Sequence, residues 1–201
     1  MVIFEYEQNS LEYLKKKDKK LGAAIERIGK VERQVIPDLF TALVNSIVGQ
    51  QISKQAAATV WNRVQDYFGE ITPARVAASR PEEIQQLGMS LRKATYIKGV
   101  AEAAFAGSLD LDELNSLPDE EIIKRLSSLH GVGIWTAEMM LIFSLQRPNV
   151  VSWGDYAIRK GMMNLYGLAD LNKGQFDKYR KRYSPYGSVA SLYLWEVAGG
   201  R

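Results

Sequence analysis

The stretch LHGVGIWTAEMM, from Leu129 to Met140, decides the fold and raises the first functional question. The preceding EEIIKRLSSL (120–129) has helical periodicity, and so does the apolar run after Gly133, which predicts a helix, a Gly-Val-Gly hairpin and a second helix. The second helix begins without a usual N-cap residue, so its first amides have no side-chain acceptor. Glycines let a ligand approach the backbone, and the helix dipole favours an anion there. The hairpin therefore predicts a main-chain phosphate site, with a plain turn between two helices as the alternative.

Helical periodicity extends over almost the whole chain. In LFTALVNSIVGQQISKQAAATVWNRVQDYF (39–68), apolar residues recur at three- and four-residue steps, and the pattern breaks at 49–51. Further helix starts are indicated at Ser53, Thr72, 79–82, Ser90 and 116–121. No segment alternates cleanly between apolar and polar residues within hairpin turns, so strands should be minor. The sequence predicts an all-α protein of about ten short helices.

The composition excludes several kinds of chemistry. The chain has 201 residues with no Cys and a single His, His130, which excludes disulfides, thiolate nucleophiles, iron–sulfur clusters and two-histidine metal sites. No apolar run reaches the roughly 18 residues of a membrane span, and the charged N-terminal segment lacks the apolar core of a signal peptide. The net charge of +3 permits nucleic-acid binding. Basic residues cluster at 15–20, 92–98 and 178–183, although each cluster is alternatively a solvated helix face.

A second segment, RPNVVSWGDYAIRKGM (147–162), contains the candidate acid. Asp155 stands at the N-cap position of the next predicted helix, so capping that helix is one interpretation of it. It follows Gly133 by 22 residues, one helix and one return loop, so it can also fold back toward the hairpin. A carboxylate near a bound phosphodiester is electrostatically unfavourable unless positive charge develops beside it. The pair of features therefore favours a reaction that passes through a cationic species.

Gly131 to Ala137 followed by Asp155 resembles the helix-hairpin-helix DNA glycosylase superfamily, whose pattern is a Leu-Pro-Gly-Val-Gly hairpin and then a loop that ends in a catalytic Asp. Five further segments resemble its alkylpurine (3-methyladenine) branch: KDKKLGAAIERIG (17–29), LVNSIVGQQIS (43–53), LGMSLRKATYI (87–97), GDYAIRKGM (154–162) and YSPYGSVASLYLW (183–195). His130 stands where the pattern has proline, and we expect no counterpart of the N-terminal β-domain of some larger relatives.

The resemblance implies one glycosylase unit over 1–201, with two helical lobes and a cleft between them. One lobe would comprise about 38–118, and the other 1–37 plus 119–201, including the hairpin at 120–145. The protein would flip a damaged base out of duplex DNA and hydrolyse its N-glycosidic bond, leaving an abasic site for base excision repair. Its expected substrates are alkylated purines such as 3-methyladenine.

The residue two positions after the second glycine decides the subclass. Bifunctional members of the superfamily, which also cut the strand, have a Schiff-base lysine there, and this chain has Trp135. The resemblance therefore implies a monofunctional enzyme without lyase activity. The absence of Cys also implies that no iron–sulfur cluster is present.

The resemblance assigns the chemistry to Asp155. Its carboxylate would stabilise the oxocarbenium-like sugar and orient or deprotonate the attacking water. N3- and N7-alkylpurines are already cationic, so they need no acid to leave, and aromatic faces attract them. The expected pocket residues are Trp135, Trp153 and Tyr186, with core packing as the alternative for each. Tyr183 and Tyr193 are further C-terminal candidates.

Other residues are expected to contact DNA or an ion. Gln51 would fill the gap left by the flipped base, although GQQ is alternatively a polar interhelix loop. The full set of expected DNA contacts is Gly131, Val132, Gly133, Gln50, Gln51, Met89, Ser90, Arg92 and Arg159. The resemblance also implies a structural Na⁺ or K⁺ on the backbone carbonyls of Ser127, Leu129 and Val132, and no required cofactor.

Three other functions stay open. A glycosylase for deaminated or oxidised bases fits the same motifs, because the motifs do not fix the pocket lining. A non-catalytic helix-hairpin-helix DNA-binding module would have no use for Asp155, and a helical scaffold would not explain the hairpin, the GQQ loop and the acid together. We expect an intracellular monomer, without a membrane contact, that acts on double-stranded damaged DNA in the nucleoid-containing cytoplasm or the nucleus.

Overall fold

The computed structural model describes residues 2–201, in which helices dominate. They are α1 (Gln8–Lys17), α2 (Lys19–Ile28), α3 (Leu39–Gly49), α4 (Lys54–Phe68), α5 (Pro73–Ala78), α6 (Pro81–Gln85), α7 (Leu91–Phe105), α8 (Leu111–Leu114), α9 (Asp119–Ser127), α10 (Ile134–Phe143), α11 (Tyr156–Tyr166), α12 (Lys173–Tyr183) and α13 (Gly187–Ala198). Strands β1 (Val2–Ile3) and β2 (Gln34–Val35) pair antiparallel, with Val2 opposite Val35. The prediction of an all-α fold is confirmed. The short strand pair was not predicted, because strands of two residues are too short to show an alternation of apolar and polar residues. No helix of residues 2–201 is long and apolar enough to cross a membrane.

Side-chain caps set several of the helix starts. Ser53, Thr72 and Ser90 each accept a hydrogen bond from the amide three residues further on, at 3.2–3.3 Å. These three starts were predicted from the sequence, because hydroxyl side chains satisfy the free amides of a first turn. The other two predicted starts fall within their ranges, with Arg80 preceding α6 and Pro118 preceding α9.

The chain divides into two compact units, of which one comprises Ile36–Met140 and the other comprises 2–35 with Leu141–Arg201. This division differs from the predicted lobes, which grouped the hairpin with the C-terminal residues. Two contacts explain why the hairpin belongs to the unit Ile36–Met140. Gln50 Nε2 donates to the carbonyl oxygen of Gly131 at 2.9 Å, and the ring of Tyr96 packs against the same glycine.

In the unit that contains the C-terminus, α11 packs along α13. Helix α13 is buried at every residue from Gly187 to Leu194, as expected of a helix that is apolar on all sides. A Cβ atom added at Gly161 would lie 2.1 Å from the carbonyl oxygen of Leu194. The two helix backbones therefore meet at this point because residue 161 has no side chain.

Candidate functional site

The hairpin joins α9 to α10 and requires glycine at its first position. Gly131 has a φ of 85°, in the left-handed region, and a Cβ atom there would lie 2.2 Å from the ring of Tyr96. Both the backbone angle and the close ring exclude a side chain. Val132 is buried, whereas Gly133 and Ile134 are exposed, with Ile134 62% accessible. The amide end of α10 is therefore accessible, as an anion site at a helix N-terminus requires.

The GQQ turn (49–51) lies beside the hairpin in the same unit. Lys93 Nζ donates to the carbonyls of Val48 and Gln50, so α7 fixes the end of α3. Burial lowers the pKa of Lys93, because the charged amine loses part of its hydration. Gln51 is exposed and has a φ of 57°, a conformation that costs a residue with a side chain on the order of 1 kcal/mol. The structure separates the two glutamines: Gln50 ties the turn to the hairpin, and Gln51 projects from it.

The start of α7 also lies next to the hairpin. Ser90 caps this helix through the amide of Lys93, and Met89 beside it is half-buried. The exposed guanidinium of Arg92 lies 5.7 Å from the ring centroid of Tyr96, the ring that contacts Gly131. Three of the segments predicted to contact DNA are therefore neighbours within one unit.

Asp155 is the N-cap of α11 and is 6% exposed. Its Oδ1 atom accepts the amide N–H of Ile158 at 2.8 Å and the indole Nε1–H of Trp195 at 3.2 Å. The capping interpretation is confirmed, and it is compatible with a role in chemistry because the two donors fix the orientation of a buried carboxylate.

Trp195 is a site residue that sequence reasoning missed. Its ring stacks on Phe143, with centroids 5.4 Å apart and planes 28° from parallel. The contact with Asp155 spans 40 residues and depends on how α11 packs against α13, so neither spacing nor periodicity indicated it.

The predicted pocket aromatics have different surroundings. Trp135 is 44% exposed in the first turn of α10. Trp153 is half-buried with its ring edge-on to Phe176, and the cations of Arg159 and Lys173 lie 5.0 and 5.6 Å from its centroid. A cationic base stacked on the same ring would meet the repulsion of both side chains, so Trp153 is a weaker candidate than Trp135 or Trp195.

The three C-terminal tyrosines differ in how deeply they are buried. Tyr186 is half-buried and lies edge-on to Tyr13 with the centroids 5.3 Å apart. Tyr183 and Tyr193 are fully buried, and their hydroxyls are bonded to the Tyr166 hydroxyl and the Gly29 carbonyl. The core interpretation therefore holds for Tyr183 and Tyr193.

Arg159, one helical turn after Asp155, holds its Nε atom buried with no hydrogen-bond partner among residues 2–201. A buried donor without an acceptor is unfavourable by about 1–3 kcal/mol. The guanidinium lies over the ring of Trp153, and the role of Arg159 in binding phosphate stays a prediction.

Comparisons with known proteins agree with this geometry. A family model described as "HhH-GPD superfamily base excision DNA repair protein" matches residues 44–185. DNA-3-methyladenine glycosylase 1 of Schizosaccharomyces pombe is 32% identical over 164 residues, which cover 79% of this chain and 72% of the relative. The crystal structure of DNA-3-methyladenine glycosidase from Bacillus halodurans superposes with a TM-score of 0.86 at 36% identity, covering 99% of this chain and 93% of that one. The S. pombe 3-methyladenine DNA glycosylase in complex with abasic DNA gives a TM-score of 0.83 at 28% identity, covering 94% and 96%.

Proposed function

The chain belongs to the helix-hairpin-helix (HhH-GPD) superfamily of base excision DNA repair proteins, and we propose that it is a DNA glycosylase that releases alkylated purines such as 3-methyladenine. The observation that carries this proposal is the buried Asp155 carboxylate at the N-terminus of α11, held by two donors. The similar proteins named 3-methyladenine glycosylases, one of them solved with abasic DNA, support the substrate class.

Asp155 would act on the positive charge that develops during cleavage. As the N-glycosidic bond breaks, its electron pair leaves with the cationic base, which departs neutral, and the sugar gains oxocarbenium character. A carboxylate in a buried site interacts with that charge more strongly than one in bulk water. Because Ile158 and Trp195 already orient Oδ1, little reorganisation is needed. The same carboxylate would accept a proton from the attacking water.

The absence of an amine in α10 supports a monofunctional reaction. Trp135 stands in its first turn, and the sequence of the helix, IWTAEMMLIF, contains no lysine. A Schiff base with the abasic sugar needs such an amine, so we infer that the enzyme stops at the abasic site and leaves the strand intact.

The proposed DNA contacts of the unit Ile36–Met140 are the hairpin, the GQQ turn and the start of α7. The amides of the hairpin residues Gly131, Val132 and Gly133, with Ser90 and Arg92, would bind phosphates, and Met89 would fill space at the duplex. Base flipping costs a few kcal/mol of lost stacking. The exposed, left-handed Gln51 supports a role as the residue that replaces the flipped base.

Three carbonyls at the end of α9 suit a monovalent cation. Ser127 is the last residue of that helix, where carbonyls lose their intrahelical partners. The Leu129 carbonyl accepts the amide of Val132 at 3.1 Å and keeps a second lone pair. The carbonyls of Ser127, Leu129 and Val132 would together hold Na⁺ or K⁺. The bound cation would add a positive charge that attracts a DNA phosphate. We propose that the protein works as a monomer on double-stranded DNA, in the nucleoid or the nucleus.

Base release from duplex DNA that carries N3- and N7-methylpurines tests the proposal. We expect chromatography to show free 3-methyladenine, and a gel to show intact strands until alkali is added. Strand cutting without alkali would contradict the monofunctional reaction. Tight duplex binding without release would favour a glycosylase for deaminated or oxidised bases.

Trp195→Phe should lower the single-turnover release rate by about tenfold, because a hydrogen bond to a charged acceptor contributes about 1.5–3 kcal/mol. Phenylalanine keeps a ring for the stack on Phe143 and removes only the Nε1–H donor to Asp155. The control is Trp61→Phe, the same change in the half-buried middle of α4. An unchanged rate for Trp195→Phe would show that the bond does not position the acid.

A further inference from the structure

A cavity of about 340 Å³ lies in the unit that contains the C-terminus, bordered by the start of α2, the end of α11 and the end of α12. It brings together two basic clusters that are about 160 residues apart in the sequence, 15–20 and 178–183. Its cationic lining residues are Lys17, Lys19, Lys20 and Arg182.

The carboxylate in this cavity, that of Asp18, already accepts hydrogen bonds from four donors. Asp18 is 4% exposed and caps α2, with Oδ1 accepting the amides of Lys20 and Leu21. Its Oδ2 atom accepts the Tyr166 hydroxyl at 2.7 Å and Arg182 Nη1 at 3.1 Å. One carboxylate with four donors, one of them a guanidinium, does not neutralise the lysines around it.

Two of these lysines, Lys19 and Lys20, stand where a helix disfavours them, whereas Lys17 ends α1, where a cation is favoured. Lys17, Lys19 and Lys20 are exposed, and no carboxylate among residues 2–201 forms an ion pair with any of them. Lys19 and Lys20 lie in the first turn of α2, which contains no acidic residue. The positive end of the helix dipole repels cations at that position. An external anion would relieve this repulsion, whereas the lysines of a merely solvated helix face gain nothing from it.

The aromatic residues leave no open ring face. Tyr166 and Tyr179 stack with centroids 3.8 Å apart and planes within 10° of parallel. Lys20 Nζ lies over Tyr166 at 5.9 Å, and the Arg182 guanidinium lies over Tyr179 at 5.0 Å. A nucleobase therefore has no face to stack on, and the chemistry suits an anionic backbone.

We propose that this cavity is a second binding site for DNA. It would bind backbone phosphates of the duplex at a distance from the reacting base. The inference rests on the proposed function. Asp155 precedes the first residue of α11 and Tyr166 is its last, so the two ends of this eleven-residue helix lie about 16 Å apart. Lysines on flexible stems bind phosphate as point charges without reading sequence. The site therefore adds affinity for any duplex.

Salt-dependent binding of the full chain to an undamaged duplex tests the proposal. Each phosphate neutralised contributes about −0.9 to the slope of log K against log salt concentration, so Lys19→Gln with Lys20→Gln should flatten the slope by about 1.8. The affinity ratio between wild type and this variant should then shrink about tenfold between 50 and 200 mM salt. The control pair, Lys30→Gln with Lys124→Gln, removes the same charge from exposed positions outside the cavity and outside both basic clusters.

Flattening in the Lys19/Lys20 variant alone supports the site. Equal slopes for the wild type and this variant would overturn the proposal. They would favour an acidic protein segment as the ligand of the cavity instead. Equal flattening in both variants would also overturn it, because it would reflect net charge alone. A wild-type chain that binds no duplex and releases no base would overturn the proposed function itself, so the two failures are distinguishable.

Discussion

Asp155→Asn should lower the rate of base release by about a thousandfold while the protein stays folded. The change removes the negative charge that would face the oxocarbenium-like sugar. It keeps an oxygen that can accept from the Ile158 amide and the Trp195 indole, and Asn caps helices about as well as Asp. Single-turnover release of methylated purines, with thermal unfolding in parallel, measures both effects.

Asp38→Asn is the matched control for this substitution. Asp38 caps α3 by accepting the amide of Thr41 at 2.7 Å, and it is exposed. The same loss of charge at a cap without a proposed catalytic role should leave the release rate within a factor of two. Equal release rates for the wild type and Asp155→Asn would show that the carboxylate takes no part in the reaction and serves only as the N-cap of α11.

Gly161→Ala should lower the free energy of unfolding by about 3 kcal/mol, the upper range for an overpacked core. The added Cβ would lie 2.1 Å from the Leu194 carbonyl oxygen, and that atom belongs to a helix backbone that cannot rotate away. For a chain of this length the midpoint of thermal unfolding should fall by about 6–12 °C. Urea or thermal denaturation followed by circular dichroism measures the change.

Gly99→Ala provides the comparison, since Gly99 lies within α7 and a Cβ there meets no atom within 4 Å. This substitution should raise the free energy of unfolding by about 0.5–1 kcal/mol, because glycine is unfavourable inside a helix. If both substitutions shifted stability in the same direction, the close approach of α11 to α13 would not be what limits residue 161.

The sequence predicted what local chemistry determines. Apolar residues at helical spacing and hydroxyl caps at Ser53, Thr72 and Ser90 fixed the helical fold and several helix starts. The Gly-Val-Gly turn was equally readable, because glycine favours the positive φ that this turn requires at residue 131. These features depend on residues within one or two turns of each other.

What the sequence did not predict depends on tertiary contacts. Trp195 reaches Asp155 across 40 residues, and the hairpin joins the unit Ile36–Met140 through Gln50 and Tyr96. Tyr183 and Tyr186 have the same chemistry three residues apart, and burial alone separates a core tyrosine from an accessible one. No pattern of spacing contains that information.

The contact at Gly161 has an evolutionary consequence. The helix that carries Asp155 as its cap and the helix that carries Trp195 approach each other at this glycine, so their separation sets whether the indole can reach the carboxylate. Selection for repair activity would then act on position 161, although a residue without a side chain cannot touch the substrate. Variation at this position would be restricted as strongly as at the acid, and a survey of natural variants that ranked positions by chemistry alone would overlook it.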